Sequence, residues 1–599
     1  MHRRDFLQGA AVVPLSGALW PFAAAAGPAS RVRPGDAAWP SDALWDRLNR
    51  AVDGHLFKVR PSLDPCREAP DAQACRAIFK GFKNPYFVGD DPSLTQTTGW
   101  IDAWTLQPSA YVLAAQSPAH VATAVNFARD HNVRIAVRGG GHSYLGSSTA
   151  PDSLLIWTRA LRRLVLHDAF VAEGCGDQGQ PAVSVGAGAI WMHTYHAVTT
   201  GAGRFVQGGG CGTVGVAGLV LGGGFGTYSK QFGTAAASLL EAEIVTADGA
   251  VRIANACRNP DLFWALKGGG GGTFGVVTRL TLRTHAAPND VGIVALTVQT
   301  SSEQAYRNLL RQFLAFYGER LLNRHWGEVV TLRRGNKLEI GMEFQGIDEV
   351  QARALWQPFL AWLEAAGGEL TLTRAPLIRS ISARHRWDPQ FLKEIAPEAV
   401  LSDDRPGAPA DNIFWAANVS EAGHFIHGFE SLWLPATLLQ PASLERLVDA
   451  LLAASRRWSV ELHFQKGLAG ALPEVIAAGR DTATNPAVLD AFALAIIAGE
   501  GPPAIPGLVG HEPDLAAARR NAQAIAAATS ALRVVVPDAA AYVAESGYFQ
   551  SNWQRAYWGA NYPKLLAVKQ QYDPAGLFFT RHGVGSEAWS DDGFTRLAP

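Results

Sequence analysis

The sequence predicts an α+β protein of several domains, and three observations carry that expectation. Helical and strand periods alternate irregularly along a chain of 599 residues, long enough for two to four cores. Apolar residues make up 48% and charged residues 18%, an ordinary globular balance that excludes disorder and collagen-like repeats. Glycine numbers 61, about 10% against a typical ~7%, and the excess gathers in three clusters. With 52 Lys+Arg against 53 Asp+Glu the formal charge is -1, so no cationic surplus exists to hold a nucleic-acid backbone.

The chain opens with Arg3-Arg4-Asp5-Phe6-Leu7 and an uncharged, small-residue stretch from Gly9 to Ala26. Residues 1–30 therefore read as a twin-arginine signal peptide, addressed to that export machinery and to a bacterial periplasmic or secreted location. Pro14, Gly17 and Pro21 interrupt the stretch, so it is no membrane span, and no later segment is long and apolar enough to be one. Residues 31–104 form an N-terminal extension. Within it Cys66 and Cys75, eight residues apart, are candidates for a local disulfide that only Cβ geometry decides. The five cysteines have no zinc-type spacing, so no metal site is expected.

Residues 105–285 read as one α+β cofactor domain. Ser117-Pro118 supplies an N-cap and a first-turn proline for a helix through Val121, Val125 and Ala128. A strand at Val133 to Val137 runs into Arg138-Gly139-Gly140-Gly141-His142-Ser143-Tyr144. Ala182 to Val185 is strand-like and Trp191 to Thr199 helix-like. Gly208 to Gly226 then holds ten glycines in nineteen positions, Glu241 to Thr246 and Val251 to Ile253 flank an Asp248-Gly249 turn, and a third cluster spans Lys267 to Gly275. Residues 286–535 read as a second α+β domain, a sheet with helices on one face. Its helices are Ser302 to Tyr317, Glu349 to Ala366, Pro441 to Arg456 and Leu515 to Leu532. Its strands are Val291 to Val298, Val329 to Leu332, Leu338 to Phe344, Leu370 to Leu372, Phe425 to Leu434 and Val460 to Phe464, with a loop at Gly499 to His511. On the run VELHFQK, period two puts Glu461 and His463 on one face and Lys466 on the other. Residues 536–599 close the chain.

Glycine clusters after strands let backbone amides approach phosphate oxygens. Gly210-x-Gly212-x-x-Gly215 matches the Rossmann string, but no βαβ entry precedes it and the first acid after the cluster is Glu241, so a Rossmann NAD(P) site is rejected.

The string from Arg138 to Tyr144, the string Gly210-Cys211-Gly212-Thr213-Val214-Gly215-x-x-Gly218-x-x-x-Gly222, and the run Asp261 to Thr278 through Gly275-Val276 occur in that order. Together they resemble the flavin domain of the vanillyl-alcohol oxidase and p-cresol methylhydroxylase superfamily. The terminal block from Trp553 through Asn561-Tyr562 to Phe578 is similar to the C-terminal element of berberine bridge enzyme-like oxidases. The resemblance implies a two-part FAD-binding domain of the p-cresol methylhydroxylase type, a substrate domain at 286–535 and a berberine bridge enzyme-like element at 536–599. It implies FAD held by Arg138, Gly139, Gly140, Gly141, Ser143, Gly210, Gly212, Thr213, Val214, Gly215, Gly218, Gly222, Gly275, Val276, Asn561 and Tyr562, and tethered twice, through His142 and through Cys211. It places Tyr144 and Tyr542 as catalytic tyrosines, with Ala544 standing where relatives often carry asparagine. It sets Val214, three residues after the tethering cysteine, beside the flavin C4a atom, where a small residue leaves room for O2. The implied activity is hydride removal from a small-molecule alcohol or carbohydrate (sugar, oligosaccharide or secondary-metabolite alcohol), with O2 reduced to hydrogen peroxide. The alternative is a dehydrogenase of the same fold serving a quinone or other carrier.

Overall fold

The computed structural model describes residues 30–176 and 178–598, so the Arg3-Arg4 segment lies outside the described residues. The architecture is α+β. Helix Pro118–Asp130 begins as expected, with the Ser117 hydroxyl accepting the His120 amide at 3.2 Å and Pro118 in the first turn. It packs Val121, Ala124, Val125 and Ala128 against a four-stranded sheet ordered Leu56–Lys58, Tyr111–Ala114, Ser153–Trp157, Arg134–Arg138. The last three strands are parallel. A second, antiparallel sheet is built on Val276–Ala286, which pairs with Leu239–Val245 on one side and Gln180–Gly186 on the other. The helix expected at Trp191 to Thr199 is α only over Trp191–Tyr195 and widens to a π turn over His196–Gly201, a local bulge of the sort found beside functional sites.

The third sheet has nine strands, in the order Leu370–Ser382, Asp290–Thr300, Lys337–Gln345, Trp326–Arg333, Val460–His463, Ala491–Gly501, His424–Pro435, Thr97–Trp100, Trp104–Thr105. Helices Glu303–Phe316, Glu349–Ala365, Pro441–Arg457 and Leu515–Arg533 contribute Leu309, Phe313, Trp356, Phe359, Leu447, Leu451 and Ile525 to a core shared with Val294, Val330, Ile340 and Leu432 of the sheet. Each of these helices pairs an apolar stripe with a polar one, which fits burial on one side only. The loop expected at Gly499 to His511 begins instead as the end of strand Ala491–Gly501. Thr97–Trp100, from the N-terminal extension, joins this sheet as a parallel neighbour of His424–Pro435.

Cys66 and Cys75 form a disulfide, and Cys175 pairs with Cys257. Cys211 alone among the described cysteines is free.

Candidate active site

One cavity of about 1740 Å³ lies between the two smaller sheets and the polar side of the nine-stranded sheet. Ligand pockets typically run to roughly 300–1,000 Å³, so it has room for a dinucleotide and a substrate together. The glycine clusters form its inner wall. A Cβ on Gly140 would meet the Gly215 amide nitrogen at 2.5 Å, and one on Gly215 would meet the Gly140 nitrogen at 2.7 Å, so the two glycine turns touch backbone to backbone and only glycine fits either place. Gly210 and Gly218 line the cavity, yet a Cβ there meets nothing within 4 Å. The open space in front of them is a cradle that side chains would fill. Gly141 turns at φ 79°, a conformation open to glycine and strained for most other residues.

His142 and Cys211 stand on these two turns and both line the cavity. Thr213, 6% exposed, sits between them with its hydroxyl oxygen 3.4 Å from His142 Nε2 and 3.5 Å from Cys211 Sγ. Burial lowers the His142 imidazole to about 4 and, aided by the charge of Glu421, raises the Cys211 thiol to about 11. At neutral pH the pair is therefore a neutral imidazole, whose free lone pair is ready to attack, and a thiol, which must first give up its proton to do so. Free lone pairs, open glycine walls and sufficient volume fit a flavin dinucleotide.

Gly139, Gly140, Ser143, Val214, Gly215, Gly222 and Gly275 also line the cavity, as do Tyr144 and Tyr542. Arg138 lines it as well, but its guanidinium donates to the carbonyls of Leu94 at 2.7 Å and Asp91 at 2.9 Å and so ties the N-terminal extension to the glycine turn. Gly212, Thr213 and Val276 stand behind the wall, Gly212 closed off by Met192. Asn561 and Tyr562 stand apart from the cavity. Asn561 donates to the Thr484 carbonyl at 2.8 Å and Tyr562 to Glu587 at 2.5 Å, contacts that fasten the terminal element.

The outer wall comes from the nine-stranded sheet. Glu461 and His463 bond each other at 3.2 Å. The expectation that Lys466 faces away from them is corrected: the strand stops at His463, a 3-10 turn covers Phe464–Lys466, and period two no longer applies. Lys466 lines the same cavity, pairs with Glu545 and lies 6.0 Å from the Tyr542 ring centroid. Tyr542 OH accepts the Gly224 amide at 3.3 Å, leaving its proton to donate. Burial raises both tyrosines, Tyr144 well above the phenol range, so both stay protonated at neutral pH.

Four lining groups were not expected from the sequence. Glu328 accepts from Thr227 at 2.5 Å, Glu343 pairs with Arg386 at 2.8 Å, Glu421 lines the cavity, and the His424 ring lies 5.7 Å from that of Tyr144. Each lies on the nine-stranded sheet or its approach, where the sequence marks no turn or glycine cluster.

Comparison with known proteins agrees with this geometry. An FAD binding domain family matches residues 108–255, and a berberine and berberine-like family matches residues 538–585. The VAO-type flavoprotein oxidase VAO615 of Thermothelomyces thermophilus is 30% identical over 620 residues, with 95% of each chain covered. FAD-linked oxidoreductase easE of Trichophyton verrucosum is 29% identical, over 94% of this chain and 91% of that one. The crystal structure of MtVAO615 from Myceliophthora thermophila C1 superposes with a TM-score of 0.78 at 27% identity, covering 95% of this chain and all of that one. These relatives are fungal proteins, which overturns the expectation of bacterial twin-arginine export to the periplasm: a pair of arginines before a small-residue stretch is too short a signal to fix a route by itself. Fold, glycine walls and matched families converge, and the chain belongs to the VAO-type, berberine bridge enzyme-like family of FAD-dependent oxidoreductases.

Proposed function

We propose that this protein oxidises a hydroxylated carbon of a small molecule, a sugar, oligosaccharide or secondary-metabolite alcohol, and reduces O2 to hydrogen peroxide, with FAD bound covalently through both His142 and Cys211. One observation carries the covalent reading: two nucleophilic side chains from separate glycine turns, far apart in sequence, meet in one cavity with a single hydroxyl between them. FAD, when bound, takes the hydride and passes its electrons on. The chain's own groups bind and orient. Protonated Tyr144 and Tyr542 donate to the substrate oxygen, and Lys466, paired with Glu545, fixes the Tyr542 side of the cavity. Arg386, between Trp387 and Trp415 at 4.8 and 4.9 Å, and the exposed Ile293, Leu377 and Ile395 give the mouth a mixed aromatic, apolar and charged lip suited to a ring-bearing alcohol.

Acid-denatured enzyme is expected to stay yellow, and its digest to yield one flavin mass joining the His142 and Cys211 peptides; free FAD in the supernatant would overturn the double tether. Anaerobic bleaching across a panel of sugars and alcohols identifies the substrate class. Re-admitted air should then restore the colour with one peroxide per turnover. Slow recovery in air but fast recovery with a quinone would assign a dehydrogenase instead.

A further inference from the structure

We propose that Glu421 is the general base of the alcohol half-reaction, taking the substrate hydroxyl proton while the hydride leaves carbon. The inference rests on the alcohol-oxidation reading above and adds to it the group that removes the proton.

The placement of Glu421 is built by backbone. Glu421 ends the 3-10 turn Ala416–Glu421, three residues before His424 opens its strand. The Gln96 amide donates to the Gly141 carbonyl at 3.1 Å, and the Gln96 carbonyl accepts the Gly423 amide at 2.8 Å, so the backbone of one residue bridges the flavin turn and the Glu421 segment. The Thr98 hydroxyl donates to the Gly423 carbonyl at 3.1 Å, and Thr97 bonds His424 Nε2 at 2.9 Å. The His424 ring lies 5.7 Å from that of Tyr144. Glu421 thereby lines the same cavity as His142, Tyr144 and Cys211, and its charge acts on both Tyr144 and Cys211.

The carboxyl is also left free to react. Asn418 Nδ2 donates to its Oε1 at 3.2 Å, and among the described residues it forms no ion pair. Four other inner carboxylates are engaged: Glu545 with Lys466, Glu461 with His463, Glu343 with Arg386, and Glu328 with Thr227 and Gln465. Glu500, also unpaired among the described residues, is more exposed than Glu421, at the end of its strand. The charged and titratable groups that share the cavity with Glu421 are His142, Tyr144 and Cys211 from the glycine turns, His424 three residues on, Glu461, His463, Lys466 and Glu500 from the sheet side, and Tyr542 and Glu545 from the terminal segment, and of these Glu500, Glu545 and Glu461 act on it by charge. Burial first, then the charges of Glu500, Glu545 and Glu461, hold the acid up at about 7, where a base removes a proton best near neutral pH. The buried tyrosines are pushed the opposite way for this task, far from ionisation.

The step balances. The substrate C–H and O–H bonds break and a C=O bond forms; the electron pair leaves as hydride to FAD, the proton goes to Glu421, and dioxygen is the terminal oxidant. Only the carboxylate can act, so the rate of flavin reduction rises as pH rises through about 7 and levels above it.

The test is anaerobic single-turnover bleaching of holoenzyme against pH, with the substrate found in the panel. Glu421→Gln should slow reduction by about 100-fold or more and erase the acidic limb, while Glu421→Asp should retain the limb at a reduced rate. A substrate-free readout accompanies it. The absorbance of oxidised holoenzyme, titrated between about pH 5 and 9, should shift near 7 and lose that shift in Glu421→Gln, whose flavin still stays with acid-denatured protein. A Glu421→Gln enzyme reduced within about threefold of wild type, or one that keeps the limb, overturns the base assignment alone. A wild type bleached by no alcohol sinks the underlying reading and the base with it.

Discussion

Val214 lines the cavity beside Cys211, and its backbone is fixed at both ends: its amide donates to the Cys211 carbonyl at 3.4 Å and its carbonyl accepts the Trp191 amide at 3.1 Å. A substitution there changes side-chain bulk without moving the chain. If this bulk gates oxygen, Val214→Leu should slow reoxidation of reduced enzyme in air by about tenfold, roughly 1.4 kcal/mol of barrier, and leave anaerobic flavin reduction unchanged. Stopped-flow reoxidation at several oxygen concentrations measures it, and unchanged reoxidation removes Val214 as the gate. The residues legible in the sequence are those whose role is local. Glycine turns carrying His142 and Cys211 announce themselves because close backbone approach demands glycine over short spans. Glu421 and Glu328 carry no such mark: a glutamate before or within a strand looks the same whether solvent or a cavity receives it. Only the fold brings them in, as when Trp415 reaches the Gly210 carbonyl across 205 residues at 3.1 Å.

Strand Trp326–Arg333 shows how an element departs from its own period. Trp326, Val330 and Leu332 face the helices, so alternation would send Glu328 into the same apolar core. Glu328 instead turns at φ 73° and lines the cavity with its carboxyl on Thr227, which spares the core a buried acid at the cost of a strained backbone. Gly327 makes this possible, because a Cβ there would sit 1.9 Å from the Thr227 carbonyl oxygen. Gly327→Ala should therefore destabilise by roughly 1–3 kcal/mol through overpacking and weaken substrate binding. Gly341→Ala on the neighbouring strand, whose nearest neighbour is the Val329 oxygen at 3.6 Å, should be close to neutral. Denaturant titration of both variants decides it, and equal midpoints would show that the strand yields. Periodicity locates most helices of this sheet because each has one wet side. It under-reads Leu370–Ser382, which runs ten residues past the expected end in mostly exposed sequence, and it misses Ala491–Gly501. That strand reads as continuous apolar sequence, since seven residues from its start are buried in succession and both its faces are covered.

At the scale of the molecule, distant segments close the structure around the cavity. The N-terminal extension adds a strand to the nine-stranded sheet and receives Arg138, the terminal element brings Tyr542 to the cavity, and the Arg31 amide donates to the Phe594 carbonyl at 2.8 Å. The two disulfides stabilise this assembly unequally. Cys175–Cys257 closes 82 residues of sequence separation and ties the end of the Gln180–Gly186 hairpin to the turn after Val251–Asn255, whereas Cys66–Cys75 closes only 9 inside the extension. In the chain-entropy account the longer loop removes more freedom from the unfolded chain, about 4.5 kcal/mol against about 2.6 kcal/mol. Replacing Cys175 and Cys257 together by serine should thus lower the unfolding midpoint more than replacing Cys66 and Cys75, with flavin binding retained in both because Cys211 belongs to neither pair. Thermal unfolding followed by flavin fluorescence ranks the two double variants. The reverse order would mean that the extension, through its strand in the large sheet and its grip on Arg138, governs global unfolding more than the loop entropy of the flavin-binding half.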